Sequence, residues 1–520
     1  MDTHDRFYPP VSLGAEPTPL SDIVAIANGA PVTLDPGALD AMARTRALLM
    51  RALDRGEAIY GLTTGVGDLY SVRLGPDEVS RAQLNMLRSH ASGVGAPHDH
   101  AAVRAIMATM IKALIQGASG VGPELVVTMA EMLNRGVTPW SPGGGSVGYL
   151  IATAHIGLAV FGHGKAWYAG ELLPGAEALA RAGIAARQPG PREGHALLSG
   201  TYEITGIGAL ALHSARRLVA IADLAGAMSL EALRGNTRGF DPRLQRFRPH
   251  PGQAETAANL MAILESSEII DTNKNHRLQD ALSLRCIPQV HGAVRDAIAY
   301  CGTVLEIEIN AVTDNPVFVV EDDELVALPG GNGHGAPTAL ALDFLAIAVA
   351  ELSTMSQVRS DRLTNGHLSG LPPFLADERG SFSGFMIPPY VAAALAADNR
   401  GLAAPASVHT VTTCAGQEDH VSMGVTAARK ARSAVENLTD ILVVELLCAA
   451  QALEFQAPLR PGRGTGAAYD LIRSVVPNRN DDRDMYPDLE AVRALIDDGS
   501  LEAAVLSALK PRPGTTEECP

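Results

Sequence analysis

Aromatic side chains are scarce, at 4% of 520 residues, and no basic cluster is present. Lys and Arg total 41 against 57 Asp and Glu, a formal net charge of −16, with the basic residues scattered. A nucleic-acid footprint needs a basic patch or stripe, so that function is not supported. The acidic balance implies solubility. Five cysteines, at 286, 301, 414, 448 and 519, form an odd count without metal-ligand spacing. Reduced thiols in the cytoplasm are the plain reading, and neither a metal nor a cofactor site is expected from them. The start lacks a basic-then-apolar leader pattern. A membrane span needs about 18 clean apolar residues. The apolar run around 336–350 is interrupted by Asp343, so no membrane association is expected. No repeat of solenoid length is visible. Residues 1–20 and 511–520 are Pro-rich or polar and are expected to be loose.

What the chain does have is Ala, Leu and helical periodicity. Long apolar-periodic segments cover 205–235, 289–311, 336–358, 389–403 and 418–455. Within the last, Val421, Val425, Ala428, Ala431, Val435, Leu438, Leu442, Leu446 and Ala449 recur every three or four residues. A helix of that length can pack along several neighbours in a bundle. The length of the chain allows several domains and a large core.

A series of motifs runs in order along the chain. Ile59-Tyr60-Gly61-Leu62-Thr63-Thr64-Gly65-Val66-Gly67 comes first, then Asn85-Met86-Leu87-Arg88-Ser89-His90. Gly145-Ser146-Val147-Gly148 and Leu198-Ser199-Gly200-Thr201 follow, then the block from Gln279 to Gln289 containing Ser283-Leu284-Arg285-Cys286. Thr313-Asp314-Asn315-Pro316, Gly330-Gly331-Asn332-Gly333-His334, Ser383-Gly384-Phe385-Met386 and Gln417-Glu418-Asp419-His420-Val421-Ser422-Met423 complete the series. The chain thereby resembles the aromatic amino-acid ammonia-lyases and aminomutases, the histidine, phenylalanine and tyrosine enzymes. The resemblance implies a mainly α fold, a long-helix bundle with a smaller N-terminal domain, of ammonia-lyase/fumarase-like architecture. The expected division is an N-terminal domain 1–200 carrying the lid near Tyr60, a central bundle 201–455, and a C-terminal helical part 456–520. It also implies a homotetramer with active sites shared between subunits, in keeping with the commonness of closed symmetric assemblies.

One departure stands out against that resemblance. In the family, Gly-Ser-Val-Gly is followed by Ala-Ser-Gly, which cyclises into an electrophilic methylidene-imidazolone. Here Gly148 runs directly into Tyr149, and His155 falls on the family His. The Asn of the family's Leu-Asn-Gly-Thr block is Ser199, the central-block Tyr is replaced by Ala281 and Leu282, and Gly416 precedes Gln417 in place of Asn. Ala91-Ser92-Gly93 and Ala118-Ser119-Gly120 align with ordinary helix ends of the family. A side-chain base alone contributes about 10²–10⁴-fold, too little to remove ammonia from an unactivated amino acid. The expectation is therefore an enzyme without the imidazolone, acting on a small carboxylate by acid/base elimination, addition, isomerisation or cyclisation. Alternatives are an aromatic amino-acid (histidine) ammonia-lyase in the usual sense and a non-catalytic small-acid-binding relative. Native absorbance near the imidazolone band, with intact mass, separates the first two.

By the resemblance, Tyr60 is the lid base and Arg285 the carboxylate clamp, a task suited to a planar fork of donors. Asn332 lies beside the carboxylate, Gln417 and Glu418 line the pocket, and Ser199 faces it. His90 touches the substrate side chain. His195 stands where the family carries an aliphatic residue, and is either a gained proton-transfer group or a hydrogen-bonded core histidine. Tyr60, His195 and Glu418 are thus the expected catalytic residues, and His90, Ser199, Arg285, Asn332 and Gln417 the expected substrate-binding ones. Tyr149 and Tyr202 could donate to a developing oxyanion or fill space, with filling favoured for Tyr149. Gln279, Asp280 and Asp419 are expected to cap helices and join subunits.

Overall fold

The computed structural model describes residues 8–376, 381–479 and 481–510, and for Pro76 and Asp77 the backbone alone. The fold is mainly α, and its longest elements are Tyr202–Ala232, Ile287–Ile309, Ala336–Thr364 and Gly424–Glu454. The apolar series on the last of these is buried from Val425 through Ala428, Ala431, Val435, Leu438, Leu442 and Leu446 to Ala449. Each such Val or Leu stabilises the folded chain by about 1.5–3 kcal/mol when fully removed from water. Val421 is buried too but precedes the helix, whose first residue is Gly424.

The chain forms two compact units, and neither is one continuous stretch. The first comprises the described chain up to His213, together with Cys301–Asp343 and Pro405–Arg432. The second comprises Ser214–Tyr300, Phe344–Ala404 and the described chain from Ser433. Four of the five boundaries fall inside the four long helices; the fifth, between Ala404 and Pro405, follows the helix Pro388–Leu402.

The strands belong to the first unit. Val11–Leu13 pairs in parallel with Val32–Leu34, and Val94–Pro97 antiparallel with Pro142–Gly144. Thr138–Pro139, Lys165–Tyr168 and Glu171–Pro174 make a three-stranded sheet. Val317–Glu321 and Glu324–Leu328 form a hairpin in register Val317↔Leu328. Asp322 and Asp323 turn it at φ +50° and +61°, the pair of left-handed residues that a twisted hairpin requires. The expectation of a loose start to the chain is corrected over its described part. Val11 and Leu13 are buried in the parallel pair, and the helix Leu20–Ala27 follows. Residues 1–7 and 511–520, Cys519 among them, lie outside the described residues.

Two stretches, Glu193–Ala232 and Ala336–Thr364, are long and apolar enough to cross a membrane, yet 72% and 67% of their most apolar windows are buried by protein. Core helices satisfy the same test. Asp343, within the second, is buried and accepts from the Ala406 and Ser407 amides at 3.0 and 2.8 Å and from Lys430 at 3.1 Å.

Candidate active site

Tyr60 sits on a loop anchored in the first unit. Leu48, Leu49 and Ala52 of the helix Pro36–Asp54 pack with Ile59, Leu62, Val79, Phe318 and Leu325, so the residues flanking Tyr60 point into a small core. Gly61 and Gly67 turn the loop at φ +65° and +57°, conformations that favour glycine. The Gly67 amide donates to the Tyr60 hydroxyl at 2.9 Å, tying the phenol to its own loop. A methyl group on Gly67 would lie 2.3 Å from Cys414 Sγ, so the loop bearing Gln417 and Glu418 meets the Tyr60 loop there.

Behind Tyr60 lies a charged centre without exposure to solvent. The His195 and Tyr60 rings are edge-on with centroids 5.6 Å apart. The His195 amide donates to Gln83 Oε1 at 3.0 Å. Its Nδ1 receives a short hydrogen bond from Arg192. A guanidinium only donates, so Nδ1 must be the acceptor and the ring proton sits on Nε2. Burial first, then Arg192 and His90, hold the His195 imidazole well below its usual range, and it is neutral at pH 7. Arg192 is wholly buried, adopts φ +73°, and donates to Asp314 Oδ1 at 2.6 Å and to the Pro316 carbonyl at 3.3 Å. Burial raises the Asp314 carboxyl, with Arg192 the largest opposing influence.

The remaining candidates in this unit surround that centre. His90 Nδ1 lies 2.8 Å from the Met86 carbonyl and 3.1 Å from Ser89 Oγ. Ser199 Oγ accepts from the Asn315 amide at 3.0 Å, so it holds the Asp314–Pro316 loop in place. Asn332 is exposed and donates to the Val312 carbonyl at 3.3 Å. Glu418 is exposed, and its Oε2 accepts from Thr413 Oγ1 at 3.0 Å; Gln417 is exposed beside it. The Tyr149 phenol is pushed up to about 12 by burial and by Glu418, Asp314 and Tyr60. The Tyr202 hydroxyl donates to the Ser199 carbonyl at 3.1 Å and is buried. Tyr202 thus braces the turn that carries Ser199. Tyr60, His195, Glu418 and Tyr149 therefore share one neighbourhood with Arg192 and Asp314. Neither member of that last pair was singled out in the sequence. The cue available there was limited to the place of Asp314 in Thr313-Asp314-Asn315-Pro316, since Arg192 lies outside the matched motifs.

Arg285 lies in the second unit, at the C-terminal end of the short helix Leu282–Arg285, and its Nε is buried without a partner. Asp280, close by in sequence, accepts from the Asn236 amide and side-chain nitrogen, both at 2.8 Å.

The prosthetic group implied by the resemblance has no Ala-Ser-Gly from which to arise between Gly148 and Tyr149. The residues at that point do not fit it, and no step below runs through it. The chain's other Ala-Ser-Gly runs serve the packing. Gly120 sits at φ +69° against Leu49 and Phe318, while Gly93 lies under Pro142 and Ile151. Among the described residues no group of three or more His, Cys, Asp and Glu could hold a metal ion.

The chain matches the family model for aromatic amino acid lyases over residues 19–474. It is 46% identical to a histidine ammonia-lyase of Gloeobacter violaceus, over 94% of this chain and 96% of that one. Among solved structures it resembles histidine ammonia-lyase from Trypanosoma cruzi, with a TM-score of 0.89, 35% identity and coverage of 97% and 96%. It also resembles tyrosine aminomutase from Streptomyces globisporus, with a TM-score of 0.92, 33% identity and coverage of 97% and 99%. These findings overturn the expectation of a different, imidazolone-free reaction on a small carboxylate. That expectation inferred a new reaction class from one local gap and three substitutions. Relatives matched over nearly the whole chain are histidine ammonia-lyases, so the likeness favours the ordinary reaction instead.

Proposed function

The chain belongs to the aromatic amino acid lyase family, and from that premise we propose that it is an ammonia-lyase of the histidine type. The observation that carries the reading is the 46% identity to a histidine ammonia-lyase across 94% of the chain. Elimination breaks the Cα–N bond with its electron pair leaving on nitrogen, removes a proton from Cβ and forms a carbon–carbon double bond. Tyr60 is suited to take the Cβ proton. Its oxygen accepts the Gly67 amide, a contact that fixes where the phenol sits on the loop. His195, neutral with its proton on Nε2, packs edge-on against the Tyr60 ring and steadies it. Glu418 and Gln417 border the opening, His90 meets the substrate side chain, and Asn332 and Ser199 line the carboxylate end.

Arg285 would clamp the carboxylate with a paired donor fork. It reaches Tyr60 of another copy if the protein is the homotetramer the resemblance implies. Support for assembly comes from the second unit. An apolar groove of about 330 Å³ runs between Ala293, Val294 and Ala297 on one helix and Phe344, Ile347 and Ala348 on another. Phe344 and Ile347 are each 44% exposed, the kind of surface that a second copy covers. Free thiols at Cys286, Cys301, Cys414 and Cys448 suit a reducing cytoplasmic setting.

The test is direct. Purified protein is given L-histidine, L-phenylalanine or L-tyrosine, and ammonia and the unsaturated acid are followed. L-Histidine should be consumed fastest. Release of no product from any of the three would overturn the reading.

A further inference from the structure

The roles above leave the Tyr149 side chain without a task. Its backbone is fixed on both sides. Ser146 Oγ donates to its carbonyl at 2.9 Å, and Leu150, at φ +92°, turns the chain sharply into the helix Ile151–Val160. A non-glycine residue in that conformation carries strain that the surrounding structure must hold. The turn delivers the phenol to Gly333, next to Asn332. A methyl there would stand 2.7 Å from the Tyr149 hydroxyl and 3.1 Å from Cζ. Gly333 therefore leaves room for a ring pressed against its backbone. The hydroxyl has no hydrogen-bond partner among the described residues. Its charged neighbours are Glu418 and Asp314, which disfavour a phenolate, so the group stays protonated at neutral pH. A phenol kept in that form and left unpaired is a donor waiting for an acceptor.

We propose that the Tyr149 hydroxyl is a substrate-binding group that donates a hydrogen bond to a carboxylate oxygen of the amino-acid substrate, beside Asn332. The proposal rests on the ammonia-lyase reading above and adds a contact to it. The α-ammonium of an amino acid has no lone pair and cannot accept this bond. The carboxylate can, and a phenol supplies the contact without placing a further cation between Glu418 and Asp314. A ring that only filled space would not need its hydroxyl.

The KM for L-histidine, and the inhibition constant of histamine, which lacks the carboxylate, test this on the full-length protein. Tyr149→Phe should raise that KM by roughly ten- to a hundredfold, as expected for a hydrogen bond to a charged group, and leave the histamine constant unchanged. Gly333→Ala, which pushes on the hydroxyl without removing it, should reproduce part of that loss. Circular dichroism checks that both variants fold. An equal KM for L-histidine in wild type and Tyr149→Phe overturns the proposal. So does an equal loss for both ligands, which would place the bond on the imidazole. Wild-type protein that turns over none of L-histidine, L-phenylalanine and L-tyrosine overturns the functional reading itself.

Discussion

Replacing Arg192 by Met should unfold the protein more easily at pH 7 than at pH 5, relative to wild type. Arg192 is 0% exposed and Asp314 1%, with 2.6 Å between Nη2 and Oδ1. Methionine keeps much of the volume of the stem but strands a buried carboxylate. Breaking one side of such a pair costs about 3–5 kcal/mol. The variant can relieve part of that by protonating Asp314. Burial already raises this carboxyl while Arg192 opposes the rise, so losing Arg192 raises it further. A carboxylate whose folded pKa exceeds its unfolded value favours the folded state below the unfolded pKa, and that contribution is lost as pH rises through the folded pKa. The penalty relative to wild type should therefore shrink on acidification from pH 7 towards about 4, by up to about 1.4 kcal/mol per unit. Urea denaturation at pH 7 and pH 5 reads it through the shift in midpoint at constant slope. Adding Asp314→Leu to Arg192→Met should recover part of the stability, because two apolar groups replace the pair. A variant within about 1 kcal/mol of wild type at pH 7, or a penalty that grows at pH 5, would refute a buried ion pair as the origin of the cost.

Four further outcomes are expected. Wild-type stability should fall as pH drops below about 6.5, because His195 and His291 are held low by burial and stay neutral while the unfolded chain takes up protons. His195→Gln should flatten that fall in urea midpoints. Gly61→Ala should impair both folding and turnover, since its Cβ would lie 2.1 Å from His195 Nδ1 and φ is +65°. Thermal melting and the rate on L-histidine check it, and a wild-type-like variant would show that the loop yields. Tyr60→Phe should lower kcat on L-histidine by about 10²–10⁴-fold with little change in KM, as removal of a proton-transfer group does. Phe344→Glu should reduce the mass measured by light scattering, and an unchanged mass would take the apolar groove out of the assembly.

The helical part of the fold was legible because burial imposes a period. On Gly424–Glu454 every residue expected inside from the spacing is buried, and its C-terminal half is buried beyond that series, at Ile441, Val444 and Leu447 among others. Elsewhere the spacing could not mark an element's end. Val421 continues the series, yet the chain is not helical until Gly424, because Met423 takes φ +53° and breaks the backbone path. The start of the chain was misread for a related reason. Its Pro and polar residues hide a three-residue strand whose partner, Val32–Leu34, lies about twenty residues on. Motifs in order were enough to identify the family, since each is a local string and local strings survive without knowledge of packing.

The charged centre was not legible, and the reason is physical. Arg192 and Asp314 are 122 residues apart in sequence. Scattered Arg and Asp residues look alike until burial singles out two of them, and a sequence carries no marker of desolvation for one residue. The consequence reaches His195. As a residue type it suggests a group that exchanges protons near neutral pH. With Arg192 donating to Nδ1, protonation there would place two cations in contact inside the protein. The same guanidinium that neutralises Asp314 thus removes one of the imidazole's two proton sites and leaves Nε2–H as a donor. What can exchange a proton in this neighbourhood is then the phenol of Tyr60, half-buried on a loop whose glycines let it reach the centre. That division gives the His195→Gln variant a second meaning. Glutamine can present an N–H near where Nε2–H stood, so turnover should drop far less than in Tyr60→Phe. A loss as large as that of Tyr60→Phe, with an altered pH profile, would return His195 to the role of proton carrier.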